Sequence, residues 1–268
     1  MSELISMTKI YKAALIVIGD EVLSGRTQEQ NIKYIATKMV ENGVELNEVR
    51  IVPDIEDAIV AAVRDLKDNV DYVFTTGGIG PTHDDITAQS IAVALDIPLV
   101  KNSQAFQMLE EHYGEAEFTL ARQKMAMTPL GAKLIPNPVS IAPGFISKNV
   151  YVLAGVPEIM RAMVDYVVRT LKGGDVVHSK TISCRFPESV IAHDLANIQE
   201  RFEADVSIGS YPQFKDGNFG VSIVLRSSNE QVLVRVAMEV DLLVASFESA
   251  AISDSSLEFS AYDADKLI

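Results

Sequence analysis

The stretch Thr75 to Thr87, TTGGIGPTHDDIT, puts two kinds of chemistry side by side. Thr76, Gly77, Gly78 and Gly80 have the composition of a phosphate cradle. Glycines let the backbone turn at positive φ and approach a ligand closely. Backbone N–H groups at a following helix start favour an anion. A few residues on, Asp84 and Asp85 bring two adjacent carboxylates, with His83 beside them. A rival reading needs no ligand. Thr82 followed three residues later by Asp85 has capping-box spacing. Carboxylates in a first helical turn complement the helix dipole by about 0.3–1 kcal/mol. Gly clusters also end many strands simply because the chain must turn.

Other carboxylates shift the balance. Asp20 and Glu21 follow one apolar run, and Asp54 follows another. Several carboxylates converging on a phosphate loop make chemical sense with a cation between them. Magnesium, manganese or cobalt would bridge carboxylate and phosphate oxygens and activate a water. A carboxylate could instead be the general base, and the sequence does not assign the two roles. The metal candidates are Glu21, Asp54, Asp84 and Asp85. His83 reads as a phosphate donor or acid–base partner, or as an exposed loop histidine. Asn31 reads as a ligand contact or as a polar helix-start residue. His112, His178 and His193 lack metal-ligand spacing, and Cys184 reads as a small buried hydrophobe. With no Gly-x-Ser-x-Gly elbow and no Walker loop, acyl hydrolases and P-loop NTPases lose ground.

Positioning these residues requires a particular order of elements. KAALIVIGDE (12–21) is a continuous apolar run suited to a strand covered on both faces. Ile32, Ile35, Ala36, Met39 and Val40 then fall at helical spacing, stopped by Asn42-Gly43. A second strand spans 44–54, a second helix carries Ile55, Ile59, Ala62, Val63 and Leu66 on one face, and a third strand spans 70–78. The next helix is expected from near Thr82 to about Leu95. This alternation predicts an α/β fold: a three-layer parallel sheet with right-handed crossovers and helices on both faces. Ligands bind outside the carboxyl ends of such strands. The loops at Gly19–Glu21, Pro53-Asp54 and Thr76–Asp85 should therefore share one edge. Residues 102–127 read as irregular helix, in which Met125 and Met127 are core, and 133–157 as strand and loop. Beyond Gly173-Gly174, strand–helix–strand–strand–helix predicts a small α+β module. The expected organisation is a first domain over 10–173, a second over 175–250 and a mobile acidic tail over 251–268.

Bulk properties narrow the partners. The 268 residues are 48% hydrophobic, enough for a sizeable core, and carry a formal net charge of −14. That charge speaks against nucleic acid or an anionic membrane as partner. A single cysteine excludes an intramolecular disulfide and fits a reducing cytoplasm. The apolar run 13–18 is too short to span a bilayer, and no signal-peptide pattern is evident.

With these residues in view, TTGGIGPTHDDIT resembles the signature of the MoaB/Mog-like molybdopterin-binding fold. It looks most like the version in CinA (competence/damage-inducible protein A) and in the molybdopterin-binding-like domain of FAD synthases. IGDEVLSGRTQEQN (18–31), VPD (52–54), IPNPVSIAPGF (135–145), GVPE (155–158) and SIGSYP (207–212) extend the resemblance over most of 12–248. The resemblance implies that Asp54 and Asp85 are the functional acids and that Gly77, Gly78 and Gly80 contact the ligand's phosphate region. It also implies metal-dependent hydrolysis of ADP-ribose or FAD, and a homo-oligomer. Three departures stand out. The amidase domain usual in full CinA proteins and the adenylyltransferase domain of FAD synthases are missing from this sequence. Ala154 replaces a usual Pro, and Ser140-Ile141 replaces a common Gly-Thr pair.

The sequence thus points to a divalent-metal-dependent dinucleotide pyrophosphatase. Two alternatives remain: a molybdopterin-binding or adenylylating protein of molybdenum cofactor assembly, and a non-catalytic nucleotide-binding module. In each case the partner is a small nucleotide or pterin ligand.

Overall fold

The computed structural model describes residues 9–215 and 218–253. The elements in chain order are β1 (Tyr11–Ile18), α1 (Asp20–Leu23), α2 (Asn31–Glu41), β2 (Val44–Val52), α3 (Glu56–Leu66), β3 (Tyr72–Thr76), α4 (Thr87–Leu95), β4 (Leu99–Lys101), α5 (Ser103–Tyr113), α6 (Leu120–Lys124), β5 (Met127–Pro129), β6 (Lys133–Ile135), β7 (Gly144–Ser147), β8 (Val150–Leu153) and α7 (Pro157–Val167). These belong to one compact unit, Met1–Val176. β9 (His178–Cys184), α8 (Glu188–Arg201), β10 (Ser207–Lys215), β11 (Asn218–Ser227) and α9 (Glu230–Ser253) belong to a second, Val177–Ile268.

The first unit is built on a six-stranded sheet of order β2-β1-β3-β8-β7-β6. The pairs β1/β2, β1/β3 and β3/β8 are parallel, while β7 runs antiparallel to both β8 and β6. The predicted parallel core is therefore present, extended by an antiparallel edge. The apolar run of β1 is buried because both faces are covered. Ala13, Leu15 and Val17 join one core with Ile35 and Met39 of α2 and Met160, Met163, Val164 and Val167 of α7. Ala14, Ile16 and Ile18 join another with Ile59 and Val63 of α3 and Ile91 and Leu95 of α4. Strand periodicity of two sends alternate residues to opposite layers.

α4 begins at Thr87, later than the sequence suggested. Thr82 to Asp85 form a turn outside the helix, in which the Asp85 carboxylate accepts the Thr82 N–H at 2.7 Å. The capping-box contact thus forms, but it closes a loop. The backbone N–H of Thr87 donates to Gly78 O at 3.0 Å, so the start of the helix is tied to the glycine loop.

The second unit is the expected α+β module, an antiparallel sheet of order β10-β11-β9. Ile223 and Leu225 pack with Ile191 and Leu195 of α8 and Val236 and Val240 of α9, and Cys184 is buried in the same core. The expected turn at Asp216-Gly217 lies outside the described residues. So does the expected tail beyond Ser253; α9 covers 251–253. Among the described residues, no helix is long and apolar enough to cross a membrane.

Candidate functional site

The carboxyl ends of β1, β2, β3 and β8 open onto one cavity of about 710 Å³. Ile18 and Gly19 follow β1, Asp54 follows β2, Gly77 to Pro81 follow β3, and Ala154 to Pro157 follow β8. This is where an open α/β sheet places its ligands.

The glycine loop is shaped by close approach. Gly77 has φ +103°, and a Cβ there would lie 2.1 Å from Ile18 O. A Cβ on Gly80 would meet the Asp85 carboxylate at 2.7 Å, so glycine admits the acid to the loop. Thr87 is fully buried, and its hydroxyl donates to Gly77 O at 2.9 Å. The Gly77 N–H donates to Leu153 O at 3.2 Å, so Gly77 turns the chain and has no N–H to spare for an anion. The N–H groups of Gly78, Ile79 and Gly80 have no protein acceptor among the described residues. These three are the donors left for phosphate oxygens.

Glu21, Asp54, Asp84 and Asp85 all line the cavity. Asp54 Oδ2 accepts the Asp20 N–H at 2.9 Å. Burial pushes the Asp54 carboxyl above its ordinary value; the Asp20 N–H opposes this, and the charges of Asp20, Glu21 and Asp84 raise it further. Asp84 is shifted the other way, held down first by the Thr82 hydroxyl, with His83 and Lys124 adding positive charge. The Thr82 hydroxyl contacts both Asp84 and Asp85, yet its one proton serves only one of them. Lys124 donates to Thr82 O at 2.6 Å and ties the acidic turn to α6.

Three residues singled out in the sequence lie away from the cavity lining. Thr76 is fully buried in β3, and its Oγ1 has no partner. Asn31 is buried at the start of α2 and donates to Gly155 O at 2.8 Å, while its Oδ1 has no partner. It braces the loop after β8. The His83 side chain is 98% exposed, 3.9 Å from Asp84.

Sequence reasoning missed Tyr113, Arg122 and Ser140, which line the cavity, and it assigned Met125 to the core although Met125 also lines it. Arg122 and Tyr113 lie in the stretch read only as irregular helix. Ser140 lay in a loop that the resemblance assigns to the non-phosphate end of the ligand and that departs from the family pattern, but the residue itself was given no role. Thr87, the last residue of the opening motif, was not assigned either.

The donor set suits a hard cation in one specific way. Among the described residues, no three His, Cys, Asp or Glu side chains form a ready-made metal cage. Magnesium-like ions commonly take only one or two carboxylates, completing their shell with water and substrate phosphate. Four acids beside free backbone donors fit that mode of binding.

Comparison with known proteins gives the family of each part of the chain. Residues 14–173 match the family model "Probable molybdopterin binding domain", and residues 176–253 match "FAD synthase, middle domain". A protein from Caldivirga maquilingensis is 35% identical over 210 residues, spanning 75% of this chain and 82% of its own length. A CinA-like protein from Sulfurihydrogenibium sp. is 36% identical over 160 residues, 57% of this chain but 40% of its own length. The crystal structure of "the protein CinA with unknown function" from Thermoplasma acidophilum superimposes with a TM-score of 0.58 at 34% identity, covering 60% of this chain and 98% of that one.

Proposed function

The chain belongs to the molybdopterin-binding-domain family, in its CinA-like form, and on that premise we propose that it hydrolyses the pyrophosphate bond of a dinucleotide such as ADP-ribose or FAD. One observation carries this reading: four carboxylates and a glycine loop with free N–H groups line the same cavity. The FAD synthase middle-domain match supports a dinucleotide ligand.

In this reading the N–H groups of Gly78, Ile79 and Gly80 hold the pyrophosphate oxygens. One or two of Glu21, Asp84 and Asp85 would hold a divalent cation, with water and the substrate phosphate completing its shell and Asp54 lining the same cavity. When bound, the cation supplies charge neutralisation at the phosphoryl oxygens. Asp54, whose carboxylate is made more basic by burial, takes the proton of the attacking water. The water oxygen bonds to phosphorus as the bridging P–O bond breaks, and the leaving phosphate keeps the bridging oxygen. ADP-ribose and water give AMP and ribose 5-phosphate.

The test is AMP release from ADP-ribose and FAD with magnesium, manganese or cobalt. Asp54→Asn is expected to lower turnover about 10²–10⁴-fold, as loss of a general base does. Asp85→Asn should abolish the metal dependence together with the activity. Absence of turnover across these substrates and metals overturns the reading. A second reading, a molybdopterin-binding or adenylylating protein, draws on the description of the matched family. It predicts pterin binding in calorimetry. A non-catalytic nucleotide module instead predicts nucleotide binding that survives both substitutions and needs no metal. A homo-oligomer belongs to the same proposal, and sedimentation measures it.

A further inference from the structure

One section of the cavity lining rests on a small core of its own. Ala105, Leu109, Phe118 and Ala126 form this core, with Tyr113, Met125, Ile141 and Ala142 packed against it. Asn137, only 4% exposed, organises the adjoining loop. Its Oδ1 accepts the N–H groups of Val139 at 3.0 Å and Ser140 at 3.1 Å. Its Nδ2 donates to Ala142 O at 2.8 Å and to Ser140 Oγ at 2.7 Å. Two backbone donors on one atom fix which end of the amide is oxygen. Ser140 Oγ is therefore an acceptor toward Asn137, and its own proton must point elsewhere. Among the described residues no protein group accepts that proton, and Ser140 lines the cavity.

The backbone at this point is held in an uncommon shape. Ile141 has φ +63°, and the Ala142 N–H donates to Ser140 O at 2.7 Å across it. That is a tight three-residue turn at a conformation β-branched residues rarely adopt. Packing of Ile141 against the small core holds it there. Tyr113 and Arg122, two groups with planar faces, line the same cavity as Ser140. The Arg122 guanidinium sits 4.1 Å from the centre of the Tyr113 ring. Nη1 of Arg122 is anchored to Glu117, at 2.6 Å from its carbonyl and 2.8 Å from its carboxylate.

The geometry points to a ring-recognition subsite, in which a flat heterocycle lies against Arg122 and Tyr113 and accepts the hydroxyl proton of Ser140. Asn137 is its positioning residue. This rests on the reading that the cavity is the ligand site. It adds the residues of this chain that read the ring, which asks of that ring a flat face and a hydrogen-bond acceptor on its edge. A purine and a flavin share that chemistry.

Calorimetric titration of the full chain with four probes tests it. AMP and FMN carry an aromatic heterocycle, the ring at issue, whereas ribose 5-phosphate and inorganic pyrophosphate do not. Ser140→Ala is expected to raise Kd for the ring-bearing probes about five- to ten-fold, the effect of one neutral hydrogen bond. The ring-free probes should bind parent and variant alike, and the larger loss between AMP and FMN identifies the ring. Ser140→Thr keeps the hydroxyl and should restore binding. Asn137→Asp keeps the acceptor for the two N–H groups but replaces the donor, drawing the Ser140 proton onto itself. It should weaken the same two probes, with thermal melts confirming that each variant is folded. Equal weakening of all four probes, no weakening of AMP and FMN, or no binding of either overturns the proposal. Binding is read without turnover. A protein that hydrolyses nothing but shows the Ser140-dependent split therefore loses only the pyrophosphatase reading.

Discussion

Asp54 and Asp84 carry the same charge into one cavity, yet their surroundings push them apart. Asp54 is penalised for ionising chiefly by burial, whereas Asp84 is favoured chiefly by the Thr82 hydroxyl. A divergence of this kind separates acid–base work from ligation. It also has a consequence for stability. A carboxyl whose folded value is raised binds its proton more tightly when folded. Its contribution is full at low pH and is lost as pH rises through the folded value. The metal-free Asp54→Asn variant is therefore expected to melt above the parent at pH 7. Well below the ordinary value of 3.8, where both side chains are neutral, the two should melt together. Equal melting at both pH values would contradict the assignment. The Asp20 N–H keeps an acceptor in either case, since an asparagine oxygen can replace the carboxylate oxygen.

At the scale of elements, the junction of β3 and α4 decides the site. The sequence offered a choice between a helix cap and a ligand loop at Thr82–Asp85. The structure shows that the cap contact forms without the helix, because Thr87 anchors the glycine loop at Gly77 and Gly78. Thr87→Val preserves shape but leaves the buried Gly77 carbonyl without its hydroxyl partner. The expected loss is about 1–3 kcal/mol in urea unfolding. Affinity for inorganic pyrophosphate should fall in the same variant, because the free N–H groups of the loop lose their brace. A variant as stable as the parent would mean that the hydroxyl is dispensable to the loop.

For the whole molecule, the dominant quantity is the net charge of −14. Such an excess repels itself, and salt shortens the reach of that repulsion from about 30 Å at 0.01 M to about 8 Å at 0.15 M. The melting temperature is expected to rise by about 2–4 °C over that range, equivalent to about 1 kcal/mol. Calorimetry at the two ionic strengths checks this. A fall instead would mean that ion pairs such as Lys9–Asp71 and Arg122–Glu117 outweigh the repulsion. The same excess makes the free N–H groups of the glycine loop and the guanidinium of Arg122 the local features able to attract an anion into an acidic chain.

Read by itself, the sequence determined the alternation of strands and helices, the layered core and the edge at which Asp54, Asp85 and the glycines meet. Each of these follows from local periodicity: β1 is apolar throughout because helices cover both its faces, and parallel strands deliver their following loops to one side. Only the tertiary structure decided which of those residues face the cavity. Asn31 turned inward to brace the loop after β8, Thr76 is buried in β3 with no partner for its hydroxyl, His83 turned to solvent, and Gly77 spent its N–H on Leu153. It also brought Tyr113, Arg122 and Ser140 to the site from segments with no periodic signal. The reason is physical. Periodicity records which face of an element is buried, but the direction of a loop side chain depends on its individual polar partners, three residues away as Asn137 is for Ser140 or 124 residues away as Gly155 is for Asn31.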